Sequence, residues 1–313
     1  MDRRKFIQAA SISLLGMSGG LNSISDQWLK SDKNKLIKLT ILHTNDVHSR
    51  LEPFPMDGSR NEGLGGAARR ATLISDIRKA EKNVLLLDAG DMFQGTPYFN
   101  YFLGEPEIKM MNAMKYDVAT IGNHDFDGGL ENLENQLNKA RFTIVNANYT
   151  FSGNGLGTLI KPYTVIEKEG IRIGIFGLGI ELEGLVPAKL YGNTQYQDPV
   201  VKAGEISEIL KSQEKCDYVI CLSHLGHIYK DEKISDVGLA SKTSNIDLII
   251  GGHTHTFLDK PLIVNNPAGM PVHVTQAGWG GIMLGRIDVT FEKNNSNVCT
   301  TCENIYIGRN KKN

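Results

Sequence analysis

Cysteine, surplus basic charge and long apolar runs are all scarce in this chain of 313 residues. Four cysteines are too few for a disulfide scaffold at this length. A formal net charge of −1 provides no broad basic surface, so no nucleic acid polymer is expected as a partner. No segment reads as a stable membrane span. The 41% of hydrophobic residues is nevertheless enough for a packed core, which indicates a globular protein.

The spacing of the cysteines argues against most thiol chemistry. Cys216 and Cys221 bracket a predicted strand, and extended chain of that length separates their backbones by roughly 16 Å, which is beyond disulfide reach. Cys299 and Cys302 form a lone C-x-x-C, half of a zinc site without a second pair to complete it. We interpret this pair as incidental or locally bridged, with metal binding and redox chemistry as alternatives.

The N-terminus has the pattern of an export signal. Basic residues Arg3, Arg4 and Lys5 precede the uncharged, mildly apolar Ala9–Leu21, and Ser23-Ile24-Ser25 offers a small-x-small cleavage site. The arginine pair resembles a twin-arginine signal, and an ordinary secretory signal is the alternative. Both predict a periplasmic or otherwise exported protein.

Four segments follow from this reading. Residues 1–25 are predicted to be the export signal, 26–35 a polar linker, 36–308 a single globular domain and 309–313 a basic tail.

One arrangement recurs along the predicted domain: an apolar, strand-like run ends, and His, Asp, Asn or Gly follows at once. These runs are Leu36–Leu42, Val84–Leu87, Val118–Ile121, Val219–Leu222 and Ile246–Ile250. Helical periodicity lies between them at Gly66–Lys79, Leu130–Lys139, Val200–Ser212 and Lys233–Ala240, and hairpin-like strands are predicted over Tyr163–Gly179 and Ile282–Glu292. Short apolar strands separated by amphipathic helices indicate an α/β protein with buried sheets. Ligands of such sheets bind beyond the carboxyl ends of the strands, where all five polar clusters fall.

The polar clusters contain the residue types that bind metal ions. In Asp46-x-His48 and His253-x-His255, extended backbone would direct both side chains to one side, roughly 6.5–7 Å apart. Asp91 follows a glycine, and its two carboxylate oxygens could bridge two cations. Asn123 offers a carbonyl oxygen, and His224 follows another strand.

Each of these motifs alone has an ordinary explanation as a surface turn, a helix cap or an edge residue. Their joint position after five separate strands favours a metal centre instead. Imidazole and oxygen ligands without thiolate favour Zn, Mn, Fe or Co. Shared between two ions, with Asp91 counted twice, the seven side chains give about four ligands each and leave room for hydroxide and substrate.

These residues, in this order, resemble the metallophosphoesterase (calcineurin-like) superfamily, and more closely the N-terminal domain of the periplasmic 5′-nucleotidase family. The matching stretches are Ile41–His48, Asp88–Thr96, Gly122–Asp127, Ser223–His227, Gly251–His255, Gln276–Gly278 and Leu284–Arg286. Together they cover approximately Leu36 to Glu292.

The resemblance implies a four-layer α/β/β/α sandwich that binds two divalent metal ions. By position, one ion would be held by Asp46, His48, Asp91 and His255, and the other by Asp91, Asn123, His224 and His253. The family's catalytic histidine falls on His124 and the carboxylate that orients it on Asp127. The implied reaction is attack of a metal-bound hydroxide on phosphorus, with His124 as general acid toward the departing alkoxide.

The sequence departs from the family pattern in two places. Some members carry Gln where this chain has His255, and both residues can ligate. The 5′-nucleotidases also have a C-terminal domain that stacks the nucleobase between aromatic side chains, and the given sequence stops before such a domain.

The expected function is hydrolysis of small phosphate esters, 5′-nucleotidase-like. The alternatives are a cyclic phosphodiester, a nucleotide-sugar or a sulfur-containing substrate, or a half-enzyme that acts with a separate nucleotide-binding chain. Among the remaining histidines, His43 and His273 are interpreted as packed residues. His227 is interpreted as structural rather than as a support for the metal ligands.

Overall fold

The computed structural model describes residues 36–292 and 295–308. The predicted export signal (1–25), linker (26–35) and basic tail (309–313) lie outside the described residues and stay predictions.

Strands and helices alternate along most of the described chain. The strands are β1 (Leu36–Thr44), β2 (Val84–Asp88), β3 (Val118–Ala119), β4 (Thr143–Val145), β5 (Tyr149–Thr150), β6 (Ile160–Lys161), β7 (Tyr163–Lys168), β8 (Ile171–Leu178), β9 (Gln195–Tyr196), β10 (Tyr218–Ser223), β11 (Leu248–Gly251), β12 (Leu262–Asn265), β13 (Pro271–Thr275), β14 (Met283–Glu292), β15 (Asn295–Cys302) and β16 (Ile305–Tyr306). The α-helices are α1 (Ala67–Ala80), α2 (Pro97–Phe102), α3 (Glu105–Met114), α4 (Gly129–Leu137), α5 (Leu156–Leu159), α6 (Ala188–Tyr191), α7 (Pro199–Ser212) and α8 (Asp236–Lys242).

Two mixed sheets form the centre of the fold. The first has the order β15-β14-β1-β2-β3-β4-β6, with β16 beside β14. Strands β1, β2, β3, β4 and β6 of this sheet are parallel, and β14 runs antiparallel to β1. The second has the order β12-β13-β11-β10-β8-β7, with parallel central strands and antiparallel edges. The parallel strands are nearly continuous apolar runs because both of their faces are buried.

Three apolar clusters hold the layers together. One lies between the sheets, where Ile41 and Leu87 of the first sheet pack with Ile220 and Leu248 of the second. Another joins the outer face of the first sheet to helices α1, α3 and α4. The third joins the outer face of the second sheet to α7 and α8. The predicted four-layer α/β/β/α sandwich is therefore confirmed.

The predicted elements match the structure with two differences. Ile282–Glu292 was predicted to be hairpin-like, but Met283–Glu292 is one continuous strand that pairs antiparallel with both β1 and β15. The helix predicted over Lys233–Ala240 begins at Asp236, because the Ser235 hydroxyl accepts a hydrogen bond from the N–H of Gly238 and caps the helix.

The thiols behave as the spacing predicted. Cys216 and Cys221 are buried and free. The side chain of Cys299 lies outside the described part of the chain, so the nature of the C-x-x-C pair stays a prediction. Among the described helices, none combines the length and the apolar character that crossing a membrane requires.

Truncation of a buried isoleucine should lower the free energy of unfolding much more than truncation of an exposed one. Ile220 is fully buried between the sheets, whereas Ile263 on the edge strand β12 is 60% exposed. We expect Ile220→Ala to lower the free energy of unfolding by about 2–5 kcal/mol, because apolar contact is lost and a cavity remains. Ile263→Ala is the matched control and should change it far less. Urea denaturation of both variants tests this, and equal losses would contradict the assignment of the core.

Candidate metal centre

The predicted ligands come together at one edge of the sandwich because each follows a strand directly. Asp46 and His48 follow β1, Asp91 follows β2, Asn123 and His124 follow β3, His224 follows β10, and His253 and His255 follow β11. The first three strands belong to one sheet and the last two to the other. The site is thus built across both sheets, at the carboxyl ends of parallel strands.

The first group of ligand atoms joins the two sheets. Asp46, His48 and His255 place one donor atom each within 4.8 Å of one another. The Nε2 atoms of His48 and His255 are 3.0 Å apart, and Nε2 of His255 lies 3.4 Å from Oδ1 of Asp46. Two imidazole nitrogens at that distance need a proton or a cation between them, because two lone pairs otherwise repel.

The second group has the same composition. Asp91, His224 and His253 also place donor atoms within 4.8 Å of one another. Nε2 of His224 lies 3.1 Å from Oδ2 of Asp91. Oδ1 of Asn123 lies 2.9 Å from Nδ1 of His253, which puts a carbonyl oxygen beside this group.

The two groups are neighbours. Nε2 of His48, from the first group, lies 3.8 Å from Oδ2 of Asp91, from the second. Nε2 of His224 lies 3.9 Å from Oδ1 of Asp46. The two carboxylates therefore lie between the two sets of imidazoles.

Burial and charge act in opposite directions on these groups. Burial would lower the pKa of His224, but the Asp91 carboxylate opposes it and raises that pKa to about 10. Burial lowers the pKa of His253 to about 4 and also lowers that of His48. Positive charge is thus stabilised beside Asp91, whereas the imidazoles of His253 and His48 favour the unprotonated form that binds metals. The donor set fits divalent cations.

Backbone carbonyls orient two of the imidazoles. The Ala89 carbonyl accepts from Nδ1 of His224 at 2.7 Å, and the Gln94 carbonyl accepts from Nδ1 of His48 at 3.1 Å. With Nδ1–H donated to a carbonyl, Nε2 is the nitrogen of each ring that faces the site. Such hydrogen bonds commonly fix the tautomer of a metal-binding histidine.

Asp125 organises the loops, and the sequence reading gave it no role. Its buried carboxylate accepts hydrogen bonds from the backbone N–H groups of Gly122 at 2.8 Å, Asp91 at 3.0 Å and Phe93 at 3.0 Å. It therefore ties the loop after β2 to the loop after β3. An Asp in a turn just after a strand is the available signal, since such side chains often accept from nearby backbone amides.

The backbone at the candidate ligands is unusual. Five of the side chains extend from left-handed residues with φ between 49° and 70°: Asp46, His48, Asp91, His253 and His255. This conformation costs residues other than glycine of order 1–3 kcal/mol each and is concentrated at functional sites.

Two glycines allow the loops to approach the ligands closely. A Cβ atom at Gly122 would lie 2.2 Å from Oδ1 of Asp91 and 2.6 Å from the His224 ring. A Cβ atom at Gly252 would lie 2.7 Å from Nδ1 of His224. Side chains at these positions are thus excluded by the ligands themselves.

His124 lies at the rim of the centre. Its Nδ1 is 2.8 Å from Oδ2 of Asp127, and its side chain is 38% exposed. The hydrogen bond to Asp127 raises the pKa of His124 above its usual value. Its backbone N–H donates to Oδ1 of Asp91 at 2.8 Å, which connects this residue to the second group.

The remaining histidines lie outside both groups of donor atoms. His43 is fully buried against Gly285, and burial lowers its pKa to about 3. His273 lies within β13, in register with Leu248 of β11. The backbone N–H of His227 donates to the hydroxyl of Thr254, and burial lowers the pKa of its imidazole.

Two adjacent groups of nitrogen and oxygen ligands at one edge of a four-layer sandwich are the arrangement of a two-metal hydrolase. The family model of the calcineurin-like phosphoesterases matches residues 39–257. The chain belongs to this family, so the resemblance noted in the sequence is confirmed.

Several relatives of this chain are 5′-nucleotidases. A snake venom 5′-nucleotidase of Naja atra is 36% identical over 280 residues, which are 82% of this chain and 50% of that protein. The 5′-nucleotidase of Homo sapiens is 35% identical over 277 residues, 82% of this chain and 47% of that protein. The chain thus spans about half the length of the curated relatives it matches.

Solved structures give the same relationship. The 5′-nucleotidase precursor of Thermus thermophilus superposes with a TM-score of 0.76 at 34% identity, over 87% of this chain and 55% of that one. The NAD nucleotidase of Haemophilus influenzae superposes with a TM-score of 0.77 at 29% identity, over 87% and 51%.

Loss of the Asp125 carboxylate should weaken metal binding without removing any candidate ligand. In Asp125→Asn one acceptor oxygen becomes an N–H₂ group that faces backbone donors, so the loop carrying Asp91 loses support. We expect a lower metal content and a lower Tm. Asp127→Asn is the matched control, because it makes the same chemical change at the rim and should retain the metals. Elemental analysis with thermal denaturation compares them, and full metal content in Asp125→Asn would refute this role.

Proposed function

We propose that the chain hydrolyses phosphate monoesters of the 5′-nucleotide type at a centre of two divalent metal ions. The observation that carries this proposal is the convergence of two adjacent ligand groups, one centred on Asp46 and one on Asp91, from loops of both sheets. The family membership and the nucleotidases among the relatives support the choice of substrate.

The ligands divide between the ions by proximity. Asp46, His48 and His255 would hold one ion, and His224, His253 and Asn123 the other. Asp91 would bridge them, which is supported by its position within 3.8 Å of His48 and 3.1 Å of His224. Nitrogen and oxygen donors of this kind suit Mn, Zn, Co or Fe.

When bound, the two cations would polarise the phosphoryl oxygens and lower the pKa of a water molecule. The loops of the chain provide the positioning. Their backbone is fixed by Asp125 and by the carbonyl groups that orient His48 and His224, so the donor atoms need little rearrangement.

His124 would supply the proton that the leaving group requires. The hydrogen bond from Nδ1 to Asp127 favours the charged imidazolium and leaves Nε2 as the nitrogen free to donate. A neighbouring carboxylate that raises the pKa of a histidine keeps it protonated, as a general acid must be.

A panel of esters tests the function. We expect the metal-loaded protein to hydrolyse nucleoside 5′-monophosphates and p-nitrophenyl phosphate faster than bis-p-nitrophenyl phosphate, a cyclic nucleotide or a nucleotide-sugar. The rank order of kcat/KM is the measurement, and addition of a chelator should abolish turnover. A folded, metal-loaded sample that is inert on every ester would overturn the proposal, and preference for a diester would replace it.

Two substitutions separate the roles of the site residues. His124→Ala should retain metal and lower kcat by about 10²–10⁴ on an alkyl ester, because alkoxide needs a proton to leave. On p-nitrophenyl phosphate, whose phenolate leaves unprotonated, the loss should be much smaller. Asp91→Ala should instead lose metal, because the proposed bridge disappears. Elemental analysis and kinetics on both esters measure this. Equal metal loss in the two variants would show that the roles are wrong.

A further inference from the structure

His255 is a candidate metal ligand whose ring is poorly enclosed by the protein. Its side chain is 39% exposed, whereas those of His48 and His224 are 9% and 0% exposed. Backbone carbonyls accept hydrogen bonds from Nδ1 of His48 and of His224, but within the described part of the chain no such acceptor lies beside Nδ1 of His255. A different contact is needed to set the orientation of this ring.

The indole of Trp279 lies flat on the His255 ring. The two ring centres are 5.5 Å apart and the two planes differ by 8°, which is a stacked arrangement. Nε2 of the stacked imidazole lies 3.4 Å from Oδ1 of Asp46, in the first ligand group. The stacked face fixes the plane of the ring and leaves its nitrogens free to bind.

The indole is itself held in place. The ring of Phe54 meets it edge-on, with the ring centres 5.2 Å apart and the planes at 79°. The next residue in the chain, Gly280, donates from its backbone N–H to the carbonyl of Asp46 at 2.7 Å. Trp279 is therefore fixed relative to the loop that follows β1.

The loop that carries Trp279 is also tied to the ligand-bearing loops of both sheets. The side chain of Asn45, in the loop after β1, accepts from the N–H of Ala277 at 2.7 Å and donates to the carbonyl of Gly278 at 2.7 Å. The N–H of Gly278 donates at 3.0 Å to the carbonyl of Thr256, in the loop after β11. The indole thus lies on a segment that joins the two loops of the first ligand group.

We propose that Trp279 is a positioning residue of the metal centre, and that stacking of its indole orients the imidazole of His255 for metal binding. The inference rests on the proposed metal centre and adds to it a residue outside both ligand groups. A ring that is oriented before the ion binds loses little side-chain freedom on binding, which raises the affinity. Groups that hold a metal-binding histidine in place commonly have this effect.

The affinity for Co²⁺, measured by isothermal titration calorimetry, tests the role of the indole. We expect Trp279→Leu to raise the Kd of one ion about twofold to tenfold, the contribution of one aromatic pair. Trp279→Phe keeps a flat ring and should restore most of the affinity. Phe257→Leu is the matched control, because it removes a stack with Tyr306, at 6.4 Å and 7°, that involves no candidate ligand. An equal rise of Kd in the control would overturn the proposal.

A double-mutant cycle separates the stacking contact from general damage to the loop. His255→Gln replaces the imidazole by an amide whose oxygen can still bind a metal ion but which has no ring. If the indole acts through the imidazole, Trp279→Leu should raise the Kd in the wild type and leave it unchanged in His255→Gln. A rise of the same size in both backgrounds refutes the positioning role.

A measurement on the metal-free protein checks the stack itself. In proton NMR spectra of the histidine rings, the indole should shift the His255 resonances upfield, and His255→Gln identifies them by their loss. The shift should disappear in Trp279→Leu and persist in Phe257→Leu. Unshifted His255 resonances in the folded wild type would contradict the proposal.

The outcomes distinguish this proposal from the proposed function. A wild type that binds no Co²⁺ would contradict both. If the wild type binds Co²⁺ and hydrolyses esters but the cycle shows no coupling, the positioning role is refuted and the function stands. If it binds Co²⁺ with coupling between the two residues but hydrolyses no ester, the positioning role is supported and the function fails.

Discussion

The structure of the catalytic edge depends on two carboxylates that are buried where the sheets meet. Asp46 and Asp91 are at most 1% exposed, and an ionised carboxylate loses several kcal/mol of hydration when it is buried. Only nearby positive charge and hydrogen-bond donors can offset that loss. The imidazoles of His48, His224 and His255 surround the carboxylate oxygens for this reason, and a pair of divalent cations would complete the neutralisation.

This electrostatic requirement explains why the loops tolerate strained backbone. Asp46, His48 and His253 are left-handed residues that point their side chains inward. This backbone conformation has an energetic cost, and an unconstrained loop would relax out of it. The apolar interior between the sheets fixes the strand ends from which these loops start. Asp125 then links the loops by accepting hydrogen bonds from three backbone N–H groups, so the strained backbone is held in place at the candidate ligands.

The hydrophobic pattern of the sequence was enough to predict the strands and the polar residues that follow them. Each such pattern lies within a few consecutive residues. The pairing of the two sheets came from the family resemblance, since periodicity does not specify which strands are neighbours. The role of Asp125 was not predicted because two of its hydrogen-bond donors, the N–H groups of Asp91 and Phe93, lie more than thirty residues earlier in the chain. The segment Ile282–Glu292 was predicted to be hairpin-like because its sequence alone does not show that β14 pairs with β1 as well as with β15.

Metal ions at such a centre contact the phosphate, which is common to every ester of the class, so discrimination must come from surfaces that the phosphate does not reach. Loops supply such surfaces, because they vary without disturbing the elements they connect. Here residues 50–55 and 96–102 leave the ligand-bearing loops just after the ligands end. The Tyr98 hydroxyl donates to Glu52 at 2.9 Å and joins these two segments to each other. Residues in these two segments can therefore change while the carboxylates, the imidazoles and their left-handed turns stay in place.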